Sequence, residues 1–233
     1  MRIALIGYGK MGKAIERIAR DRGHHTVAFD VQDSLESLTS ENFDVAIEFT
    51  TPESAPDNLK FCLSHGVPVV CGTTGWLDRS AEVHEFCNQK NGTFFYASNF
   101  SIGVNIFFKV NSYLARLMND QGYKVSVHEI HHTQKKDSPS GTAITIAEGI
   151  ISNNQQYLSW SEVETAPNIL PISSERIDPY PGTHTVKYDC EIDTIEMTHT
   201  AKSRTGFALG AVLVAEWMPG KQGVRSMNDF LSF

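Results

Sequence analysis

The chain has 233 residues, 41% of them hydrophobic, which is enough to bury a core in one large domain or two small ones. Its formal net charge of −7 argues against a nucleic-acid partner, because neutralising phosphates requires a basic patch. No segment approaches the roughly 20 apolar residues of a membrane span, no signal-peptide core follows Met1, and the four cysteines are scattered. We therefore expect a soluble, cytoplasmic protein with reduced thiols and no membrane partner.

The first predicted elements are typical of a dinucleotide-binding unit. Residues 3–6 form an apolar run that predicts a buried strand, and a helix is predicted over residues 13–20. The turn between them, residues 7–12, reads G-x-G-x-x-G. Its glycines permit a tight turn and close approach of a pyrophosphate to the helix N-terminus. An ordinary strand–helix turn is the alternative, and the strand–turn–helix context favours dinucleotide binding.

The second predicted strand, residues 26–30, ends in Asp30, about twenty residues beyond the glycines. An acid here can accept hydrogen bonds from the ribose hydroxyls and would repel a 2′-phosphate. Residues 31–33 contain no arginine to compensate. We expect a preference for NADH over NADPH, which Lys10 would soften.

Strands and helices continue to alternate through residue 97. Strands are predicted at 45–49, 67–71 and 93–97, with one helix beginning at Thr51 and another over about 80–90. This alternation indicates a doubly wound parallel sheet of the Rossmann type. Because ligands lie at the carboxyl ends of such strands, the loop at residues 72–75 should face the cofactor.

The rest of the chain predicts a second, mixed α+β domain at about 102–204. A helix over about 103–118 leads into an alternating strand that ends at the histidines of residues 128–132. Residues 152–182 are polar and rich in proline, which predicts a loop. Residues 183–189 and 194–201 alternate and suggest an antiparallel pair, and a buried helix of small and aliphatic residues is predicted over 207–217.

A short loop carries the groups best suited to proton chemistry. His131 and His132 are followed by Lys135, so two imidazoles and an ammonium lie within a few residues. Ser140 is a candidate N-cap for the next helix, whose first N–H groups have no intrahelical partner and attract an anion. Gly141 would let that anion approach the backbone. The loop therefore predicts a site for an acidic substrate.

The loop has two other interpretations. Zinc ligation by His128, His131 and His132 is disfavoured, because His128 and His132 on one face of a strand would lie roughly 13 Å apart. We expect no metal. A solvated polar turn is a further alternative. His184 and His199 remain open as core residues or as part of the active-site wall.

Motifs at residues 7–12, 72–75, 98–101 and 129–143 together resemble the dihydrodipicolinate reductases, also called 4-hydroxy-tetrahydrodipicolinate reductases, of bacterial lysine and diaminopimelate synthesis. The most specific part is Glu129-x-His-His-x-x-Lys-x-Asp-x-Pro-Ser-Gly-Thr-Ala143. Gly182-x-His-Thr185, residues 199–204 and residues 207–208 add to it, and the resemblance covers essentially the whole chain.

The resemblance implies reduction of a small cyclic dicarboxylate, with loss of water, by NADH or NADPH. It also implies a homotetramer built through the second domain's sheet. Members return the C-terminal segment to the nucleotide domain, so we predict a dinucleotide-binding domain at 1–101 plus 205–233. Residues 102–204 would then bind substrate and mediate tetramerisation.

By the same resemblance, His131 is the catalytic acid/base and Lys135 the proton donor. The substrate would be held at the loop and helix start by His132, Ser140, Gly141 and Thr142. The cofactor contacts would be Gly7, Tyr8, Gly9, Lys10, Met11, Gly12, Asp30, Gly72, Thr73, Thr74, Ala97, Ser98, Asn99 and Phe100.

Two features depart from the family pattern. The glycine loop is one residue shorter than in many members, and the arginine beside the ribose-binding acid is absent, which leaves the cofactor preference open. The alternatives are another two-domain nicotinamide oxidoreductase, such as a sugar-type or diaminopimelate dehydrogenase, and a non-enzymatic NAD(H) redox sensor. A sensor would have no need of the histidine–lysine loop.

Overall fold

The computed structural model describes residues 1–203 and 205–233. The strands are β1 (Arg2–Ile6), β2 (His25–Phe29), β3 (Val45–Glu48), β4 (Val69–Cys71), β5 (Thr93–Tyr96), β6 (Lys124–His131), β7 (Ser159–Ser161), β8 (Ile169–Arg176), β9 (Thr183–Asp189), β10 (Thr194–Thr200) and β11 (Gly223–Arg225). The α-helices are α1 (Lys10–Asp21), α2 (Ala55–Ser64), α3 (Ser80–Gln89), α4 (Ile102–Leu117), α5 (Gly141–Ile151), α6 (Thr205–Trp217) and α7 (Met227–Leu231).

These elements form two compact units. The first combines Met1–Ile102 with Thr205–Phe233, and the second is Gly103–Arg204. Arg204, at which the sequence analysis ends the second domain, lies outside the described residues. The first unit is therefore discontinuous in the chain, and the second is inserted into it.

The first unit is built on a six-stranded parallel sheet in the order β2-β1-β3-β4-β5-β11. The direction of winding reverses between β1 and β3, which are neighbours in the sheet although β2 follows β1 in the chain. Ligands of doubly wound sheets bind at such a switch point, beyond the carboxyl ends of the strands. The predicted doubly wound parallel sheet is confirmed.

Helices cover both faces of this sheet, because its strands are apolar on both sides. One face packs against α1, α6 and α7, and the other packs against α2 and α3. Gly210 lets α6 lie close to the segment that follows β5, since a Cβ there would come within 1.8 Å of the Phe100 carbonyl oxygen. The helix is not buried all round as predicted, since Leu209 is exposed and Glu216 is half-buried.

The start of α2 differs from the prediction. The helix begins at Ala55, with Ser54 as N-cap and Pro56 in the first turn, rather than at Thr51. The preceding residues continue the loop from β3, where the backbone N–H of Thr50 donates a hydrogen bond of 2.7 Å to Oγ1 of Thr73. Residues 52–54 form a turn that leads into the helix, and the Ala55 N–H donates a hydrogen bond of 3.0 Å to the Thr51 carbonyl.

The second unit is built on a mixed five-stranded sheet in the order β10-β9-β6-β8-β7. Strand β6 runs antiparallel to β9 and parallel to β8. Its apolar face packs against α4 and α5, and Nδ2 of Asn111 on α4 donates a buried hydrogen bond of 2.9 Å to the Ile146 carbonyl on α5. The predicted mixed second sheet is confirmed.

The prediction of a loop over residues 152–182 is wrong, since the segment contains β7 and the eight-residue strand β8. Along β8, Leu170 and Ile172 face the core, whereas Pro171, Ser173 and Glu175 are exposed. The proline and the polar residues obscure the alternation of buried and exposed positions that would predict a strand. The sequence analysis also did not predict β11 and α7.

The described chain contains no helix that is both long enough and apolar enough to span a membrane.

Three of the four cysteines, Cys62, Cys71 and Cys87, are buried in the first unit as free thiols. Burial raises the pKa of the Cys62 thiol, which keeps it protonated.

Candidate active site

The carboxyl ends of β1 and β3 open into a cleft of about 530 Å³ in the first unit. A second pocket of about 370 Å³ lies at the start of α1 and the end of β4. Predicted cofactor residues that line one or both are Gly7, Tyr8, Gly9, Lys10, Met11, Gly12, Asp30, Gly72, Thr73 and Thr74.

The glycines of these pockets have different surroundings. A Cβ at Gly7 would lie 2.1 Å from the Phe49 carbonyl oxygen, one at Gly12 would lie 2.2 Å from the Gly7 carbonyl oxygen, and one at Gly72 would enter the Phe49 ring. Beside Gly9 there is open space, and Gly9 caps α1 without any side-chain cap. Free N–H groups at the helix start next to open space fit the pyrophosphate of a dinucleotide.

Two carboxylates occupy the end of the cleft near β2. The Asp30 carboxylate accepts a hydrogen bond of 2.9 Å from the Val31 N–H, and that of Asp33 accepts one of 2.7 Å from the Asp30 N–H. The residues lining this cleft include no lysine or arginine. This end therefore suits ribose hydroxyls better than an added phosphate.

The predicted cofactor contacts Ala97, Ser98, Asn99 and Phe100 follow β5 at the same edge of the sheet, but they do not line the two clefts. The Phe100 ring is buried, with its centroid 5.8 Å from that of Phe49 and 5.9 Å from that of Phe95. Oδ1 of Asn99 accepts a hydrogen bond of 2.9 Å from the Ser101 N–H. A contact to cofactor from Phe100 would therefore come from its backbone.

In the second unit, one face of the sheet changes from apolar to polar along β6. Val125, Val127, Glu129 and His131 alternate along the strand, so they share the face covered by helices. Across the strands, Glu129 lies opposite His184 of β9, which in turn lies opposite His199 of β10. His131 lies opposite Arg176 of β8. The sheet thus gathers residues that are distant in sequence.

Glu129 is fully buried at the centre of this cluster. Its carboxylate accepts a hydrogen bond of 3.0 Å from the Ser140 N–H, one from the Ser140 hydroxyl, and one of 3.0 Å from Nη2 of Arg176. Oε2 also lies 3.3 Å from Nδ1 of His131 and 3.4 Å from Nε2 of His184. Burial alone would raise the pKa of Glu129, but the neighbouring His131, His184 and Ser140 outweigh it and hold the pKa well below its usual range.

The two histidines beside Glu129 are both buried, with ring centroids 5.1 Å apart. Burial lowers the pKa of His184, the interaction with Glu129 partly opposes this, and the adjacent His131 lowers the pKa further. Burial likewise lowers the pKa of His199. His184 and His199 are therefore neutral at neutral pH. Gly182 makes room for His131, since a Cβ there would lie 3.0 Å from its Nε2 atom.

The loop after β6 is held by ion pairs. Nζ of Lys135 lies 2.9 Å from both carboxylate oxygens of Asp137, which lowers the pKa of that carboxyl group. Arg176 donates a hydrogen bond of 2.7 Å to the Asp137 carbonyl, and the Lys135 N–H donates one of 3.1 Å to the backbone carbonyl of the half-buried His132. Asp137 thus pairs locally, and Lys135 lies on the loop that Arg176 ties to Glu129.

The predicted N-cap of α5 is confirmed. Oγ of Ser140 accepts a hydrogen bond of 3.1 Å from the Ala143 N–H. The N–H groups of Gly141 and Thr142 lie in the first turn, where helices offer no intrahelical acceptor, and a Cβ at Gly141 would meet open space. The helix start can therefore bind a carboxylate group.

Glu129, His131 and His184 place donor atoms within 4.8 Å of one another, which is the spacing of metal ligands. Arg176 and Ser140 already bind the carboxylate, however. A cation between the two histidines would have to displace the Ser140 hydroxyl from Oε2, the carboxylate oxygen that faces them, while Arg176 holds Oε1 at 3.0 Å. The donor set fits a hydrogen-bonded network better than a metal site, and it differs from the histidine set weighed from sequence.

The sequence analysis missed Glu129 and Arg176 as members of the site. The signal for Glu129 was available, because it continues the alternation of Val125 and Val127 and so occupies a core position. No signal marked Arg176, because its strand was predicted as a loop.

Comparisons with known proteins agree with this geometry. Residues 1–100 match the family model "Dihydrodipicolinate reductase, N-terminus", and residues 103–231 match "Dihydrodipicolinate reductase, C-terminus". A 4-hydroxy-tetrahydrodipicolinate reductase of Christiangramia forsetii is 49% identical, covering 100% of this chain and 98% of its own length.

Solved structures show the same fold. A dipicolinate-bound dihydrodipicolinate reductase from Paenisporosarcina sp. TG-14 has a TM-score of 0.81 at 22% identity, covering 97% of each chain. An amine dehydrogenase from Mycobacterium smegmatis has a TM-score of 0.63 at 11% identity, covering 97% of this chain and 94% of its own. The fold is thus shared with other dehydrogenases, and the family models and the 49% identical relative decide the family. The chain, a nicotinamide-dependent oxidoreductase, belongs to the dihydrodipicolinate reductase family.

Proposed function

We propose that the chain reduces 4-hydroxy-tetrahydrodipicolinate to tetrahydrodipicolinate in lysine and diaminopimelate synthesis. The balanced reaction consumes one NAD(P)H and one proton, and it releases one water and NAD(P)⁺. The observation that carries the proposal is the grouping, in the second unit, of His131, the Lys135 loop and the helix start at Ser140 around buried Glu129. The 49% identical relative bears the name of this activity.

Each group has a part suited to this reaction. The bound cofactor supplies the hydride. His131 and Lys135 supply the proton required at the carbon next to the one that receives the hydride, since imidazole and ammonium groups transfer protons at neutral pH. His132 and the N–H groups of Gly141 and Thr142 hold the substrate carboxylates. Ser140 supports them as the N-cap of α5, since its own N–H and hydroxyl donate to Glu129. To donate a proton, the Lys135 ammonium group must leave the Asp137 carboxylate and contact the substrate instead.

The substrate can be generated in situ by an aldol-type synthase from pyruvate and aspartate semialdehyde. We expect loss of NADH absorbance only when both the synthase and this protein are present. Cofactor binding without oxidation of NADH or NADPH would overturn the proposal in favour of a redox sensor or another substrate.

We further propose that NADH is the preferred cofactor. Two carboxylates, Asp30 and Asp33, and no lysine or arginine line the end of the cleft near β2. The test compares kcat/KM for the two cofactors in the parent and in Asp30→Asn, whose lost charge should favour NADPH selectively. A parent that strongly prefers NADPH would contradict this proposal while leaving the reaction in place.

The two domains predicted from sequence receive distinct parts in this proposal. Residues 1–101 with 205–233 bind the cofactor, and residues 102–204 bind the substrate and assemble a homotetramer in the cytoplasm. Assembly is supported by the face of the second sheet that does not pack against α4 and α5. This face is not covered within the described residues of the second unit, since it carries the partly exposed residues Ser126, His128, Thr185 and Lys187. Light scattering coupled to size-exclusion chromatography should give a mass about four times that of the chain, and a monomer at working concentration would refute it.

A further inference from the structure

Glu129 lies two residues before His131 on the same face of β6, with its carboxylate between His131 and His184. Several elements present titratable or charged groups to His131. They are Glu129 of β6, Arg176 of β8 and His184 of β9. His199 of β10 lies beyond His184, and Lys135 pairs with Asp137 in the loop that follows His131. The start of α5 presents the Ser140 hydroxyl. Glu129 is the buried anion among them.

The geometry gives the two nitrogens of His131 different surroundings. Nδ1 is buried and lies 3.3 Å from Oε2 of Glu129. The distance is short enough for a hydrogen bond but the two groups are not aligned as one, and Nδ1 has no hydrogen-bond partner among the described residues. Catalytic hydrogen bonds are often poorly aligned before substrate binds. Nε2 lies on the other side of the ring, over Gly182. A carboxylate behind one ring nitrogen fixes the tautomer and stabilises the charged imidazole.

We propose that Glu129 is a positioning residue that keeps a proton on Nδ1 of His131 and leaves Nε2 to exchange a proton with the substrate. This inference rests on the proposed function, because it assigns Glu129 a part in the same proton transfer. His184, which is neutral, fills the remaining side of the carboxylate without competing for positive charge.

A purely structural part for Glu129 is the competing explanation. Its hydrogen bonds from Ser140 and Arg176 join the start of α5 to β8, so its loss would disturb the loop in any case. If Glu129 has only a structural role, its replacement should lower the stability of the protein and raise KM, because the start of α5 would shift. If Glu129 positions His131, its replacement should lower kcat and change the pH profile of kcat.

The variant Glu129→Gln keeps the shape of the side chain and removes its charge. We expect kcat to fall roughly 10–100-fold, as for partners that orient catalytic histidines, with KM little changed. The limb of the kcat profile that falls at high pH should move to lower pH by about one unit, because removal of a nearby negative charge weakens proton binding by the imidazole. The matched control, Glu191→Gln at an exposed position after β9, should match the parent.

Two further variants cover the case in which Glu129→Gln folds poorly, as judged by circular dichroism. Glu129→Asp retains the charge and should restore the position of the high-pH limb. Adding Glu129→Asp to His131→Ala should lower kcat no further, because the effect of Glu129 passes through His131. The positioning role of Glu129 would be overturned by an unchanged kcat and pH profile in Glu129→Gln. It would also be overturned if the losses of kcat from the two substitutions added up in the double variant. Full turnover in His131→Ala would instead overturn the proposed function.

Discussion

The glycines of the first unit look alike in the sequence but have different surroundings. Gly12 is packed against the Gly7 carbonyl, whereas Gly9 borders open space at the start of α1. The sequence motif predicted the location of the turn correctly. It could not distinguish a glycine needed for packing from one needed for ligand approach, because that difference depends on the neighbouring backbone.

This difference predicts opposite results for two alanine variants. Gly12→Ala should destabilise the protein by about 1–3 kcal/mol, because its methyl group has no space. Gly9→Ala should melt like the parent but bind NADH roughly tenfold more weakly, a loss of about 1.4 kcal/mol. Thermal unfolding without ligand and a fluorescence titration with NADH measure the two effects. Equal melting temperatures for both variants would contradict the packing argument.

The histidine–lysine loop gives a second prediction for single residues. His131→Ala and Lys135→Ala should each lower kcat by roughly 10²-fold or more, because each removes a proton donor from the proposed reaction. Lys136→Ala is the matched control, since Lys136 is exposed next to Lys135 in the same loop. Steady-state kinetics with the synthase-coupled assay measure the change. Near-normal turnover in both variants would refute the assignment.

At the level of secondary-structure elements, Glu216 links α6 to the N-terminal part of the chain. Its carboxylate accepts two hydrogen bonds of 2.7 Å from Arg22, which follows α1, and lies 2.7 Å from Nε2 of His24. Arg22 lowers the pKa of Glu216, and burial only partly opposes this. The pair is partly exposed, so solvent screening limits its contribution to about 1 kcal/mol.

We expect Glu216→Gln to lower the melting temperature by about 2–4 °C at neutral pH. Because the folded-state pKa of Glu216 is depressed, its stabilising effect is present above the unfolded-state pKa and is lost as the pH falls through the folded-state pKa. The parent and the variant should therefore converge in acid, which thermal unfolding across pH will show. The exposed Glu191→Gln is the control, and a pH-independent difference would contradict the ion-pair explanation.

The elements also show why part of the fold escaped prediction. Strand β6 was recognisable because its core-facing positions are regular, and the N-cap of α5 because Ser140 precedes an apolar run. Strand β8 was not, because Pro171, Ser173 and Glu175 face away from the core. The buried partnership of Glu129 with Arg176 depends on the pairing of these two strands, which local sequence does not specify.

For the molecule as a whole, the C-terminal segment completes the first unit. Residues 205–233 supply α6, α7 and the edge strand β11, and Ala211, Val212, Val214 and Met218 belong to the core on one face of the sheet. A chain ending at residue 203 should therefore be insoluble or bind a hydrophobic dye strongly. A chain ending at Leu231 retains these elements and is the control. Cooperative unfolding of the shorter chain at the parent's temperature would contradict this.

The discontinuity of the first unit also sets the order in which the protein can mature on the ribosome. The second unit is continuous and has all its strands once β10 has left the exit tunnel. The sheet of the first unit has to wait for β11, although its first five strands precede every strand of the second unit in the chain. Domains fold as units during synthesis, so we expect the second unit to finish folding before the first.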